Sequence, residues 1–104
     1  MAVMKTKEKV IQSIFTAVDE LNQQLPREQR LEKSGDTVLM GDLGKLDSMG
    51  LIKLIVEVEQ QIENTYGVAI TLSEEKTMSQ VDIVFKTIGT LADHLIQLME
   101  ENED

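Results

Sequence analysis

The stretch that decides the fold is residues 46–67, LDSMGLIKLIVEVEQQIENTYG. At 100° per residue its apolar side chains gather on one side of a helix: Leu51, Leu54, Ile55, Val58, Ile62 and Tyr66. The opposite side is polar and carries Lys53, Glu57, Gln60 and Asn64. Asp47 or Ser48 is a suitable N-cap, and Gly67 is a C-cap signal. The stretch therefore predicts an amphipathic helix from Ser48 to about Tyr66.

Two further helices flank this stretch. Apolar spacing predicts a first helix over about residues 6–24, closed by Pro26, with one face formed by Val10, Ile11, Ile14, Phe15, Val18, Leu21 and Leu25. A last helix is predicted from about Thr87 or Thr90 to Met99, with a face formed by Ile88, Leu91, Ala92, Leu95 and Leu98. Three amphipathic helices can bury their apolar faces only against one another, which predicts a helical bundle.

The connections complete this outline. Residues 26–47 are predicted to be a long loop with isolated apolar anchors at Leu31, Val38, Leu39, Leu43 and Leu46. A short helix could follow Ser73, and residues 68–71 are assigned to an extended connector because a lone strand has no partner here. We expect a frayed acidic tail at residues 100–104. The predicted fold is one all-α domain over residues 1–104: a small bundle of three main helices plus one short helix.

Composition excludes several functions. The chain has 104 residues, 19 acidic against 10 basic, and a net charge of −9, which argues against nucleic-acid binding because phosphate recognition needs clustered Lys and Arg. It has no cysteine and one histidine, so thiolate zinc sites and disulfides are excluded and no metal site is expected. No segment has the roughly 18 apolar residues of a membrane span. We expect a cytoplasmic monomer that meets basic partners.

The charge is also uneven along the chain. Residues 34–104 hold 14 acidic and 4 basic residues, whereas residues 1–33 are nearly balanced. The acidic later part is therefore the part expected to face basic partners.

Ser48 is the candidate site. This serine follows a glycine-containing loop, residues 41–47, and lies at the start of a predicted helix. A phosphate ester at that point would lie beside free helix N–H groups and the positive end of the helix dipole, which favours an anion by about 0.3–1 kcal/mol. The alternative is that Ser48 is only a helix cap.

Leu46-Asp47-Ser48-Met49 resembles the Asp-Ser-Leu signature of acyl carrier proteins, with Met in place of Leu. The resemblance extends to the preceding GDLG at residues 41–44, to IENTYGVAI at residues 62–70, and to TIGTLAD at residues 87–93. It covers most of the chain from Asp36 onward, and the first helix is compatible by its pattern.

The resemblance implies that Ser48 carries a 4′-phosphopantetheine group within the motif that includes Asp47 and Met49. A Mg-dependent phosphopantetheinyl transferase would attach this group from coenzyme A, and acyl chains would be carried as thioesters on its thiol. Ser48 would be a modification site, and the protein would be a discrete acyl carrier with no catalytic residues of its own. The cargo stays open among fatty acyl, polyketide and aminoacyl or peptidyl groups.

The helix that follows Ser48 offers a candidate docking surface for acyl-transferring or acyl-modifying enzymes. One stripe, off the centre of the core face, contains Met49, Ile52, Val56 and Glu63. Met49 and Val56 are expected to be exposed, and the acidic residues around them are Asp47, Glu57, Glu59 and Glu63. Such a surface suits enzymes with basic docking patches. The alternative is that Met49 and Val56 pack beneath the loop of residues 26–47 and that the acids are an ordinary solvated face.

Three features depart from the family pattern. Lys53 lies on the exposed side of this helix where the family often has an acid, which puts in doubt docking by a partner that needs negative charge there. Gly50 lowers helix propensity by roughly 1 kcal/mol relative to Ala, which suggests a close approach or a looser first turn. The helix is also about one turn longer than the family pattern, and we expect its apolar face to stay in phase.

Two other functions remain. In an enzyme, Ser48 would be a nucleophile and His94 its base, but Asp47-Ser48-Met49-Gly50 supplies only half of G-x-S-x-G and no strand precedes it. The other alternative is an acidic helical interaction module without a covalent cofactor. Modification of Ser48 by phosphopantetheine would separate that module from a carrier.

Overall fold

The helices follow the order that the sequence predicts. The computed structural model describes residues 7–40, 46–72 and 79–101. The α-helices of these described residues are α1 (Lys7–Asn22), α2 (Ser48–Tyr66), α3 (Val81–Val84) and α4 (Ile88–Glu101), with a 3₁₀ helix at Arg27–Gln29. Helix α1 packs against both α2 and α4, and α3 packs against α4. The predicted all-α bundle of three main helices and one short helix is confirmed.

Helix α2 has the predicted bounds. It begins at Ser48 and ends at Tyr66, where Gly67 takes a left-handed conformation with φ of 68°. The Gly67 N–H donates to the carbonyl oxygen of Glu63 at 2.9 Å and so satisfies one of the last helical carbonyls. Glycine suits this position because a side chain would be strained at positive φ. The apolar face stays in phase over the whole helix, with Leu51, Leu54, Ile55, Val58 and Ile62 buried.

Facing helices supply the rest of the core. Helix α1 buries five apolar residues, and Ile11 and Phe15 pack at its edge. Helix α4 buries the predicted face together with His94 and Met99. This helix continues to Glu101, two residues beyond its predicted end, and residues 102–104 lie outside the described part. The buried apolar residues of α1 and α4 are Val10, Ile14, Ala17, Val18, Leu21, Ile88, Leu91, Ala92, Leu95, Leu98 and Met99.

The loop between α1 and α2 is held by buried anchors, as predicted. Leu31 and Leu39 are 5% and 0% exposed, whereas Val38 and Leu46 are half-buried. The Asn22 side chain brackets Leu31, because its amide donates to the Leu31 carbonyl at 3.0 Å and its oxygen accepts from the Leu31 N–H at 2.9 Å. The fifth predicted anchor, Leu43, lies outside the described residues.

Backbone hydrogen bonds attach the same loop to the start of α4. The Leu39 N–H donates to Lys86 O at 2.9 Å, and the Ile88 N–H donates to Thr37 O at 3.1 Å. One residue further on, the Gly89 N–H donates to Gly35 O at 2.9 Å. A Cβ at Gly89 would lie 3.1 Å from that carbonyl oxygen, so the approach favours glycine. Residues 35–39 of the loop are therefore fixed against the start of α4.

The short helix differs from the prediction. The predicted turn after Ser73 lies outside the described residues, and α3 at Val81–Val84 was not predicted. Four residues are too few for an apolar period to be recognised. The next helix, α4, begins with a reciprocal cap, in which the Thr90 N–H donates to Thr87 Oγ1 at 3.1 Å and the Thr87 N–H donates to Thr90 Oγ1 at 2.9 Å. Residues 68–71 form a connector without regular secondary structure, as predicted.

Tyr66 carries a buried hydroxyl at the end of α2. The Tyr66 Oη atom has no hydrogen-bond partner among the described residues, and the nearby Ser13 hydroxyl donates to Lys9 O at 3.4 Å. Burial raises the pKa of the Tyr66 phenol above its ordinary value of 10.0. Because an unsatisfied buried hydroxyl opposes folding, Tyr66 stabilises the protein through its ring and not through its oxygen.

Replacing Tyr66→Phe is expected to raise the free energy of unfolding by about 1 kcal/mol, because it removes the unsatisfied hydroxyl and keeps the ring. The raised pKa means that wild-type stability is present below pH 10 and falls as pH rises above it, since the unfolded phenol ionises first. The advantage of the variant should therefore grow from pH 9 to pH 11 in urea titrations. A constant difference over this range would contradict the burial of the hydroxyl.

Candidate functional site

The first turn of α2 is capped by Asp47. This residue has extended backbone angles (φ −88°, ψ −174°), and its Oδ1 accepts from the Gly50 N–H at 2.8 Å. Its carbonyl oxygen accepts from the Leu51 N–H at 2.9 Å. Of the two predicted caps, Asp47 is therefore the one observed, and Ser48 is the first residue inside the helix. Asp47, and not Ser48, is therefore the N-cap of α2.

Gly50 marks a close approach in this turn. A Cβ at this position would lie 3.0 Å from Leu46 Cδ2 and 3.3 Å from Asp47 Oδ1. The first of the two predicted explanations for Gly50 is therefore confirmed. Glycine allows the residues just before Ser48 to fold tightly onto the helix that follows it.

Three apolar side chains beside this turn are exposed to solvent. Met49 is 62% exposed, and Ile52 and Val56 are each 54% exposed. The predicted exposure of Met49 and Val56 is confirmed, and the alternative that the preceding loop covers them is wrong. Three exposed apolar residues on one helix, next to one another, form a surface suited to a protein partner.

The acidic residues around this surface differ in their environment. Asp47 and Glu63 are exposed, whereas Glu57 and Glu59 are half-buried. The Glu59 Oε2 accepts from the backbone N–H of Leu72 at 2.6 Å, so its carboxylate holds the connector that leaves α2. The sequence pattern gave no signal of this bond, because Leu72 lies 13 residues further along the chain.

Lys53 is the single cation on α2 and is exposed. It follows Met49 by four residues and precedes Val56 by three, so the three side chains share one face. The predicted exposure of Lys53 is therefore confirmed.

The single histidine of the chain, His94, lies on α4. This helix packs mainly against α1 and α3, and His94 is 8% exposed. It lines an open depression of about 240 Å³ together with Gln80, Ile83, Val84, Thr90, Asp93 and Gln97. In residues 7–40, 46–72 and 79–101, no group of three His, Asp or Glu side chains is arranged to hold a metal ion.

One exposed apolar residue was missed by the sequence analysis. Ile83 on α3 is 67% exposed and lines an open groove of about 560 Å³ with Met40, Asp82, Lys86 and Thr90. The sequence signal for this segment is the pattern VDIV at residues 81–84. In so short a helix, the spacing of its apolar residues does not show which of them faces water.

No family model, curated protein or solved structure matches this chain. Among the helices of the described residues, none combines the length and the apolar character that crossing a bilayer requires.

Replacing Asp47→Ala is expected to lower the free energy of unfolding by about 1 kcal/mol, because the Gly50 N–H loses its acceptor. Asp47→Asn retains an acceptor oxygen and should stay within about 0.5 kcal/mol of wild type. Ser48→Ala should also stay within about 0.5 kcal/mol, since Ser48 does not cap the helix. Urea unfolding checks all three variants. If Ser48→Ala loses as much stability as Asp47→Ala, the assignment of the cap to Asp47 is wrong.

Replacing Glu59→Ala is expected to lower the free energy of unfolding by about 1–2 kcal/mol, because it leaves the Leu72 N–H without its acceptor. Hydrogen exchange of the Leu72 amide should accelerate in the same variant. Glu59→Gln keeps an acceptor on a side chain of the same length and should restore most of the protection. Glu63→Ala is the matched control on the same helix, and equal exchange in Glu59→Ala and Glu63→Ala would argue against the bond.

Proposed function

We propose that this protein is an acyl carrier whose 4′-phosphopantetheine arm is attached to Ser48. The observation that carries this proposal is the position of Ser48: it is the first residue of a 19-residue helix that is already capped by its neighbour and is followed by exposed Met49. A carrier needs its attachment point at the surface, beside residues that partner enzymes can contact. The sequence resemblance to acyl carrier proteins supports the same assignment.

The environment of Ser48 fits a phosphodiester. The positive end of the α2 dipole lies at this residue, and it favours a bound anion by about 0.3–1 kcal/mol. The Asp47 carboxylate is committed to the Gly50 N–H, so the fold does not require Ser48 for capping. Esterification of Ser48 would therefore leave the cap of α2 in place.

Attachment of the arm transfers a phosphopantetheine group from coenzyme A to Ser48 and involves no oxidation or reduction. The Ser48 oxygen forms a bond to the phosphorus atom that bears pantetheine in coenzyme A, and the phosphoanhydride bond breaks. Adenosine 3′,5′-bisphosphate leaves, and the serine proton passes to a base of the transferase. Once bound, the arm supplies the thiol that this cysteine-free chain lacks.

Partner enzymes would dock on one surface of α2. We call it the docking face and define it by Met49, Ile52, Lys53, Val56, Glu57 and Glu63. Its exposed apolar residues offer contact area, and its acids attract basic enzymes and fix their orientation. Glu59 was predicted to join this surface, but its bond to Leu72 gives it an internal role as well.

The second candidate function is that of an interaction module without a covalent group. It would use the same docking face, and the exposure of Met49, Ile52 and Val56 favours it as much as it favours a carrier. The enzyme alternative has less support, because Asp47-Ser48-Met49-Gly50 supplies only half of the G-x-S-x-G pattern. Fatty acyl, polyketide and aminoacyl cargo are all compatible with the same attachment site.

The intact mass of the purified protein tests the proposal. Incubation with coenzyme A, Mg²⁺ and a broad-specificity phosphopantetheinyl transferase is expected to add one phosphopantetheine to the wild type and none to Ser48→Ala. Ser34→Ala, which removes an exposed serine from the α1–α2 loop, is the matched control and should be modified like the wild type. If folded wild type gains no mass while a known carrier is modified, the interaction module becomes the leading function.

A further inference from the structure

Lys53 lies near the Ser48 end of the docking face. Met49 precedes it by one turn and Val56 follows it by one turn, and both are more than half exposed. All three acidic residues of α2 come later in the helix, from Glu57 onward. The face therefore has a cation near its Ser48 end and anions toward its C-terminal end.

Within residues 7–40, 46–72 and 79–101, the charge of Lys53 has no acidic partner. Lys53 forms no ion pair with any described residue, whereas Lys7 pairs with Asp93 at 3.3 Å and Lys33 pairs with Asp19 at 3.1 Å. Glu57 is four residues further along α2, but a lysine placed before its glutamate is in the less favourable order for such a pair. No described acidic side chain therefore competes with an external anion for the Lys53 ammonium group.

We propose that Lys53 is a specificity determinant of the docking face, which selects a partner enzyme that presents an Asp or Glu opposite Lys53 and basic residues opposite Glu57 and Glu63. This inference rests on the proposed carrier function. Between two exposed apolar residues, contact with a partner would remove Lys53 from water, so its charge needs a counter-charge in the complex. A partner whose docking patch is wholly basic would be repelled at this position.

The first experiment measures kcat/KM for phosphopantetheine attachment by a broad-specificity transferase chosen for a wholly basic docking patch. We expect Lys53→Glu to raise kcat/KM about three- to tenfold at low salt, because it replaces repulsion by attraction. The gain should shrink at high salt, and Lys53→Arg should match the wild type. Lys86→Glu alters an exposed lysine outside α2 and is the control for net charge; it should change the rate less.

The second experiment detects the counter-charge in the natural partner. Carbodiimide coupling, applied to the holo-protein in an extract of its own cells, joins a lysine to a carboxylate that lies in direct contact with it. We expect a peptide in which Lys53 is linked to an Asp or Glu of an enzyme that acts on the loaded arm. Lys53→Arg should lose the link and keep the enzyme's activity, whereas Lys53→Glu should lose both.

The two proposals fail in different ways. If the transferase modifies the wild type but Lys53→Glu leaves kcat/KM unchanged, or changes it no more than Lys86→Glu does, Lys53 is not a specificity determinant and the carrier function stands. If other lysines couple and Lys53 does not, the inference is also overturned. If the transferase modifies no variant, it is the carrier function that fails.

Discussion

The structure depends on the removal of the α2 apolar stripe from water. Leu54, Val58 and Ile62 are at most 1% exposed, and α1 is the helix against which α2 chiefly packs. Burying side chains of this size contributes about 1.5–3 kcal/mol each. Because these residues fix the rotation of α2, they also determine which residues remain outside. The docking face is therefore a consequence of core packing.

Different capping interactions define the two ends of α2. At the start, Asp47 satisfies the Gly50 N–H, and the glycine lets Leu46 pack closely. At the end, Gly67 turns the chain with a positive φ, and Glu59 then holds the connector through Leu72. These contacts fix where the helix begins, and that in turn makes Ser48 its first residue.

The long loop between α1 and α2 is attached to the rest of the bundle in two ways. Hydrogen bonds from Leu39, Ile88 and Gly89 fasten it to the start of α4, and buried Leu31 and Leu39 hold it to the core. A loop fastened in this way loses its conformational freedom on folding, and the buried anchors offset that loss. These contacts fix residues 35–39 of the loop against α4.

The sequence by itself determined the three main helices, the bounds of α2, the loop anchors and the exposure of Met49 and Val56. These features follow from local periodicity and capping chemistry, which each segment carries within itself. Tertiary structure decided the rest: the short helix α3, the exposed Ile83, and the bond from Glu59 to Leu72. The reason is physical. A four-residue segment has no period to read, and a contact between residues 13 positions apart exists only after the connector has folded back on its helix.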